Sequence, residues 1–85
     1  MTDTKIAIVF TKPDCPFCVK AANLLFEKGI HQIKRTVDVE FTREELLGFI
    51  PEELRPAKLT FPQIFISGFY VGGYDNLVNY LRFNE

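Results

Sequence analysis

The residues with the most distinctive chemistry are two cysteines, Cys15 and Cys18, in the order Cys-Pro-Phe-Cys. They follow an apolar run, residues 6–10, that is typical of a buried strand, and Pro16 suits the first turn of a helix because no N–H is needed there. Cys15 is therefore expected at a helix N-terminus, where free N–H groups and the helix dipole stabilise negative charge. Because the thiolate is the reactive form of cysteine, the pattern predicts thiol–disulfide exchange.

The two thiols are expected to have different roles in this exchange. Cys18 lies one helical turn after Cys15, so both side chains are on the same side and can form a disulfide. Cys15, at the exposed tip, is predicted to be the attacking thiolate. Cys18, on the apolar face of the first turn, is predicted to be the resolving thiol. Lys12 adds positive charge near Cys15 and further favours the thiolate.

Two other uses of a cysteine pair compete with exchange chemistry. Residues 1–5 lack the features of a signal peptide, so we expect the protein in the reducing cytoplasm. Structural disulfides are rare in that compartment, which disfavours this use of the two cysteines. A zinc site needs about four ligands, whereas the chain has two Cys and one His. That histidine, His31, is expected beyond the first helix, at its far end from Cys15. We therefore predict no metal site.

The size and charge of the chain limit its function further. Its 85 residues predict a single domain over 1–85. The chain has ten Lys and Arg against eleven Asp and Glu, without the basic excess that is typical of proteins binding nucleic acid or acidic membranes. No apolar segment approaches the ~20 residues that span a bilayer. We expect a monomer without nucleic-acid or membrane partners.

Hydrophobic periodicity predicts the order strand, helix, strand, helix, strand, strand, helix. The predicted strands cover 5–11, 32–39, 63–67 and 69–71, and the predicted helices cover 16–28, a segment from residue 42, and a terminal segment from residue 74. A right-handed crossover makes the first two strands parallel, and a hairpin makes the last two antiparallel. The predicted fold is α/β, a four-stranded mixed sheet flanked by helices on both faces.

The second helix has the clearest start signal. Thr42 is predicted as its N-cap, with Glu45 completing a capping box and Phe41 and Leu46 forming the flanking hydrophobic staple. A glycine and a proline interrupt the pattern afterwards. Residues 49–57 are therefore predicted to be either a second short helical turn or an irregular loop.

Two further motifs precede the third strand and the last helix. Pro62 cannot donate to a sheet ladder and marks the strand entry; together with the cysteine pair it favours a cis Phe61–Pro62 bond lying against the cysteines. Residues 72–75, Gly-Gly-Tyr-Asp, open the terminal helix. Asp75 and nearby N–H groups are predicted to form a polar cup for the charged end of a peptide. The alternative is a flexible turn whose acidic residue complements the helix dipole.

Taken together, these residues resemble the glutaredoxin family. The resemblance covers nearly the whole chain and rests on residues 11–18, 60–66, and 68 with 72–75, in that order. It implies a thioredoxin fold and glutathione-dependent thiol–disulfide exchange, with glutathione as reductant and co-substrate and no tightly bound cofactor. By motif position, glutathione would be held by Lys12, Phe17, the backbone of Phe61 beside cis Pro62, Gly73, Tyr74 and Asp75.

The chain differs from the family pattern at three of these positions. Family members commonly carry Tyr where Phe17 stands, Val where Phe61 stands and a small residue where Tyr74 stands. We expect Phe61 and Tyr74 to crowd or reshape the glutathione groove. A further contact is expected from the segment before the third strand, for which Arg55 and Lys58 are candidates.

The predicted function is a glutathione-disulfide oxidoreductase that reduces protein disulfides and glutathione mixed disulfides through Cys15 and Cys18. One alternative is a glutaredoxin-like redoxin that is recharged by thioredoxin reductase and donates electrons to ribonucleotide reductase. A second is an iron–sulfur cluster carrier, in which two protomers share a cluster through Cys15 and glutathione. Pro16 disfavours the carrier because cluster-binding relatives usually have a smaller residue there.

Overall fold

The computed structural model describes residues 5–83, which form four strands and three α-helices. The elements are β1 (Ile6–Thr11), α1 (Pro16–Glu27), β2 (His31–Thr36), α2 (Arg43–Phe49), a 3₁₀ turn (Glu52–Leu54), β3 (Gln63–Ile66), β4 (Phe69–Gly72) and α3 (Tyr74–Phe83). The sheet order is β2-β1-β3-β4, with β1 parallel to β2 and the other pairs antiparallel. The predicted α/β architecture is confirmed. None of these helices is long and apolar enough to cross a membrane.

The central strands β1 and β3 are mostly apolar because both sheet faces are covered; their polar residues are Thr11 and Gln63. One cluster, under α1 and α3, contains Ala7, Val9, Ala21, Leu25, Ile64, Ile66, Leu77 and Leu81. The other, under α2, contains Phe10, Val37, Phe41, Leu46, Ile50 and Phe65. Successive strand residues point to opposite faces, so each central strand contributes to both clusters. Helices therefore cover both faces of β1 and β3.

The predicted start of α2 is confirmed in detail. The Thr42 hydroxyl oxygen accepts the Glu45 N–H at 3.1 Å, and the Glu45 carboxylate accepts the Thr42 N–H at 2.8 Å. Phe41 and Leu46, the predicted staple pair, both lie buried in the cluster under α2. After α2 the chain forms the short 3₁₀ turn and then runs without regular structure to β3. The two predicted alternatives for this segment, a short helical turn and an irregular loop, therefore each describe part of it.

The predicted second strand is three residues too long. β2 ends at Thr36, and Val39, the last residue of the predicted strand, is 77% exposed. The chain turns here: the N–H groups of Val39 and Glu40 both donate to the Thr36 carbonyl, and Asp38 has a φ of +63°. This turn carries Phe41 back into the core, where burial of its ring outweighs continued pairing at the sheet edge.

Candidate active site

Cys15 is the N-cap residue of α1, directly before Pro16 in the first helical turn. Its Sγ accepts the backbone N–H of Cys18 at 3.2 Å. Its carbonyl oxygen accepts the N–H groups of Cys18 and Val19, at 3.1 and 3.2 Å. The helix therefore directs an N–H donor and its positive dipole end at the Cys15 sulfur, which favours the thiolate once the pair is reduced. The predicted position of Cys15 is confirmed.

Cys15 and Cys18 form a disulfide, with their Cα atoms 5.2 Å apart. In this oxidised form the two residues are 8% and 6% exposed, so the predicted difference in exposure is wrong. Cys15 is covered because the loop before β3 packs over it. Position separates the two sulfurs instead: Cys15 lies outside the helix with an N–H aimed at it, whereas Cys18 lies within the helix on its buried face.

The loop before β3 provides the second wall of the site. The Phe61–Pro62 bond is cis, as predicted, and Pro62 is buried. The Phe61 carbonyl oxygen lies 3.6 Å from Cys15 Sγ. The Phe61 ring packs against Phe41 at 6.2 Å and lies under the Arg43 guanidinium at 5.6 Å. The backbone of this loop therefore contacts the sulfur, while the ring is anchored on the α2 side.

The third wall is the start of α3. Gly72 has a φ of +115°, which favours glycine, and the helix follows immediately, with the Leu77 N–H donating to the Gly73 carbonyl at 2.9 Å. The Gly73 N–H donates to Asn76 Oδ1 at 3.1 Å. Asp75 is exposed in the first turn, where its charge complements the dipole.

A groove of about 330 Å³ joins the loop before β3 to the start of α3. Six of the residues predicted to hold glutathione line it: Phe17, Phe61, Pro62, Gly73, Tyr74 and Asp75. The Phe17 and Tyr74 rings lie 5.9 Å apart and both line the groove. Lys12 is not part of this lining. It borders a second cavity of about 430 Å³ on the other side of the disulfide, together with Lys34.

The sequence interpretation missed several groove residues, namely Pro56, Thr60, Gln63, Tyr70 and Asn76. Only Asn76 has a clear local signal, because it lies three residues after Gly73, where a side chain can accept the N-cap N–H. Arg55 and Lys58 are not in the groove lining. The Arg55 Nε donates to the Ile50 carbonyl at 3.0 Å and so closes the end of α2.

His31 begins β2, beyond the far end of α1 from Cys15, as predicted. Within residues 5–83, no group of three or more His, Cys, Asp or Glu side chains is arranged to hold a metal ion.

Comparison with known proteins gives the same assignment as the motifs. The family model for glutaredoxin matches residues 7–71. Glutaredoxin 1 of Rickettsia typhi is 42% identical to the chain over 73 residues, which are 85% of this chain and 66% of the relative. The chain thus spans slightly less than two thirds of that relative's length.

Solved structures agree on the fold. The reduced form of Escherichia coli glutaredoxin superposes with a TM-score of 0.75 at 25% identity, covering 93% of this chain and 95% of that one. A buckwheat glutaredoxin, solved as a complex with glutathione, superposes with a TM-score of 0.71 at 23% identity, covering 92% and 69%. At this identity the second match shows the thioredoxin-like fold alone.

Proposed function

The chain belongs to the glutaredoxin family, and from this premise we propose that it is a glutathione-dependent thiol–disulfide oxidoreductase with Cys15 as nucleophile. One observation carries the proposal: the Cys15 sulfur lies between an N–H of the α1 N-terminus, at 3.2 Å, and the Phe61 carbonyl, at 3.6 Å. The helix favours the thiolate, and the neighbouring loop offers backbone groups to a peptide-like substrate. Both are needed for a thiolate to attack a bound mixed disulfide.

With a glutathione mixed disulfide, the Cys15 thiolate attacks the glutathione sulfur. The original S–S bond breaks, the substrate's thiolate leaves and takes a proton from water, and glutathione stays bound to Cys15. A second glutathione thiolate then attacks the glutathione sulfur on Cys15. Glutathione disulfide forms, and the Cys15 thiolate is regenerated, so this cycle does not need Cys18.

With a protein disulfide, the Cys15 thiolate attacks one substrate sulfur and forms a protein mixed disulfide. The Cys18 thiolate then attacks Cys15, which releases the substrate as a dithiol and forms the Cys15–Cys18 disulfide. Two glutathione molecules reduce this disulfide and leave as glutathione disulfide. The burial of Cys18 beside Cys15 favours this intramolecular step over the entry of an outside thiol.

Glutathione is proposed to bind along the groove. Its central peptide units pair with the Phe61 backbone in a short antiparallel ladder, as in strand addition. Asp75 and the N–H groups at the start of α3 hold the γ-glutamyl end, Asp75 pairing with its ammonium. Phe17, Gly73 and Tyr74 shape the wall around it. Lys12, across the disulfide, is proposed to attract the glycyl carboxylate and to favour the thiolate.

The coupled enzyme assay tests this proposal directly. Turnover of a glutathionylated peptide is measured in the presence of glutathione, glutathione reductase and NADPH. We expect NADPH oxidation that depends on both the protein and glutathione. An active, folded protein that reduces disulfides with dithiothreitol but shows no turnover with glutathione would contradict the proposed reductant.

Replacing Asp75 with Ala is expected to raise the KM for a glutathionylated peptide about tenfold. A charge-assisted hydrogen bond is worth about 1.5–3 kcal/mol. Because solvent screens the exposed Asp75, we use a value just below this range, about 1.4 kcal/mol, which corresponds to tenfold. The rate of alkylation of Cys15 should not change. Asp75→Asn keeps the shape and removes the charge, so it should raise KM similarly; an unchanged KM in both variants would exclude Asp75 as the ammonium contact.

A second candidate keeps the chemistry but changes the electron donor. Tyr74 lies against Phe17 and lines the groove, where a ring of its size disfavours glutathione relative to a protein donor. In this case thioredoxin reductase reduces the Cys15–Cys18 disulfide, and a protein such as ribonucleotide reductase receives the electrons. Replacing glutathione and its reductase with thioredoxin reductase in the same assay distinguishes the two donors. A Tyr74→Ala variant should gain glutathione-dependent turnover only if Tyr74 restricts the groove.

A further inference from the structure

Two groove residues, Gln63 and Tyr70, form a hydrogen-bonded chain that ends on the loop beside Cys15. The Tyr70 hydroxyl donates to Gln63 Oε1 at 2.6 Å, and Gln63 Nε2 donates to the Thr60 carbonyl at 2.8 Å. Thr60 directly precedes Phe61, whose carbonyl oxygen contacts the Cys15 sulfur. We propose that this chain, which we name the Tyr70–Gln63 clamp, positions the Phe61 backbone for substrate and so sets the affinity for disulfide substrates.

The direction of each hydrogen bond follows from the groups involved. The Thr60 carbonyl can only accept, so the amide nitrogen of Gln63 must face it. The amide oxygen of Gln63 then faces Tyr70, whose hydroxyl must donate. Each group in the clamp can therefore form its hydrogen bond in only one direction, so the clamp holds the Thr60 carbonyl in one orientation.

The clamp is anchored in the sheet at both of its side chains. Gln63 and Phe65 share one face of β3, and Tyr70 pairs with Phe65 across the hairpin, its ring 5.2 Å from the Phe65 ring. Gln63 is only 2% exposed, so water cannot readily replace a lost partner. The Tyr70 phenol is protonated at neutral pH, and burial raises its pKa further above the ordinary value of about 10. The rigid hairpin thereby supports an otherwise irregular loop.

The proposal rests on the proposed function, because it takes the Phe61 backbone to be the surface that pairs with substrate. It assigns Tyr70 and Gln63 as positioning residues, which touch neither the sulfur nor the reacting bond. Loss of the clamp should therefore weaken substrate binding without changing the reactivity of Cys15. A residue that only stabilised the fold would not separate these two quantities.

Tyr70→Phe tests the clamp with the smallest possible change. It removes the hydroxyl, keeps the ring against Phe65, and leaves the Gln63 oxygen buried without its donor. We expect KM for a glutathionylated peptide to rise about fivefold, with kcat within about twofold and the rate of Cys15 alkylation by iodoacetamide unchanged. Tyr80→Phe, which removes a hydroxyl from α3 outside the groove, is the matched control and should leave KM unchanged.

A double-mutant cycle with Gln63→Met makes the test specific. Methionine has a similar volume and cannot bridge Tyr70 to Thr60, so KM should rise at least as much as in Tyr70→Phe. Because the hydroxyl acts only through Gln63, adding Tyr70→Phe to Gln63→Met should change nothing further. The clamp would be overturned if the two substitutions together raised KM by the product of their separate effects. It would also be overturned if KM were unchanged in Tyr70→Phe.

Failure of the clamp and failure of the proposed function give different results. If the wild-type protein does not turn over the glutathionylated peptide, the proposed glutathione dependence fails. The same variants are then compared on a peptide with an internal disulfide, using dithiothreitol as reductant, since that substrate would pair with the same Phe61 backbone. A rise in KM for this peptide in Tyr70→Phe, absent in Tyr80→Phe, supports the clamp; equal KM values overturn it.

Discussion

Replacing Cys15 with Ser is expected to lower the turnover of both glutathione mixed disulfides and protein disulfides by at least about three orders of magnitude. Serine has a similar size, and its hydroxyl oxygen can accept the Cys18 N–H in place of the Cys15 sulfur, so α1 should still begin correctly. The hydroxyl is a far weaker nucleophile than a thiolate. The remaining thiol, Cys18, lies inside α1 on its buried face and lacks the N-cap position. It cannot take over the attack.

Cys18→Ser is the matched variant that separates the two cycles. It should retain reduction of a glutathionylated peptide, where a second glutathione resolves the intermediate, and should lose reduction of protein disulfides, where Cys18 resolves it. Both activities are measured with glutathione reductase coupling, and circular dichroism verifies the fold of each variant. Equal losses in the two folded variants would contradict the assignment of attacking and resolving thiols.

The second large effect is expected at Gly72, at the junction of β4 and α3. Its φ of +115° lies in a region that other residues rarely adopt, and a Cβ there would lie 2.7 Å from Asn76 Oδ1. Gly72→Ala should therefore lower the free energy of unfolding by roughly 1–3 kcal/mol, which corresponds to a fall in Tm of roughly 5–20 °C for a domain of this size. Calorimetry or thermal circular dichroism measures this change.

The same substitution should also weaken substrate binding. To avoid the new Cβ, the Asn76 side chain must move and lose the hydrogen bond that its Oδ1 accepts from the Gly73 N–H. We expect this movement to shift the start of α3 beside the groove. We expect a higher KM for the glutathionylated peptide at temperatures where Gly72→Ala is still folded. Asn76→Ala in the same chain removes the clash, so the double variant should lose less stability than the sum of the single variants.

Gly48→Ala is the control for a glycine that needs no special geometry. Gly48 lies within α2, and a Cβ there meets no atom within 4 Å. Alanine should raise the helix stability by about 0.5–1 kcal/mol because glycine loses more conformational entropy on folding. A loss of stability at Gly48 similar to that at Gly72 would show that backbone geometry is not the cause at Gly72.

The sequence by itself determined the features that depend on neighbours within a few residues. Pro16 and the preceding apolar run placed Cys15 at the start of a helix, and the pattern around Thr42 placed a capping box, because both involve backbone groups of a single turn. The alternation of apolar and polar residues, together with turn residues, likewise predicted the four strands and their order along the chain. The motifs around Cys15, Pro62 and Asp75 were sufficient to indicate the family.

Only the tertiary structure decided how closely these segments pack. The motifs predicted a cis Phe61–Pro62 bond against the cysteines, but the 3.6 Å approach of the Phe61 carbonyl to Cys15 depends on the packing of both sheet faces, which is also why Cys15 is covered rather than exposed. The early end of β2 follows from burial of Phe41, a long-range gain that strand periodicity does not include. The Tyr70–Gln63 clamp depends on the pairing of β3 with β4. Such contacts are decided by the joint packing of distant segments, and no local pattern of residue types encodes them.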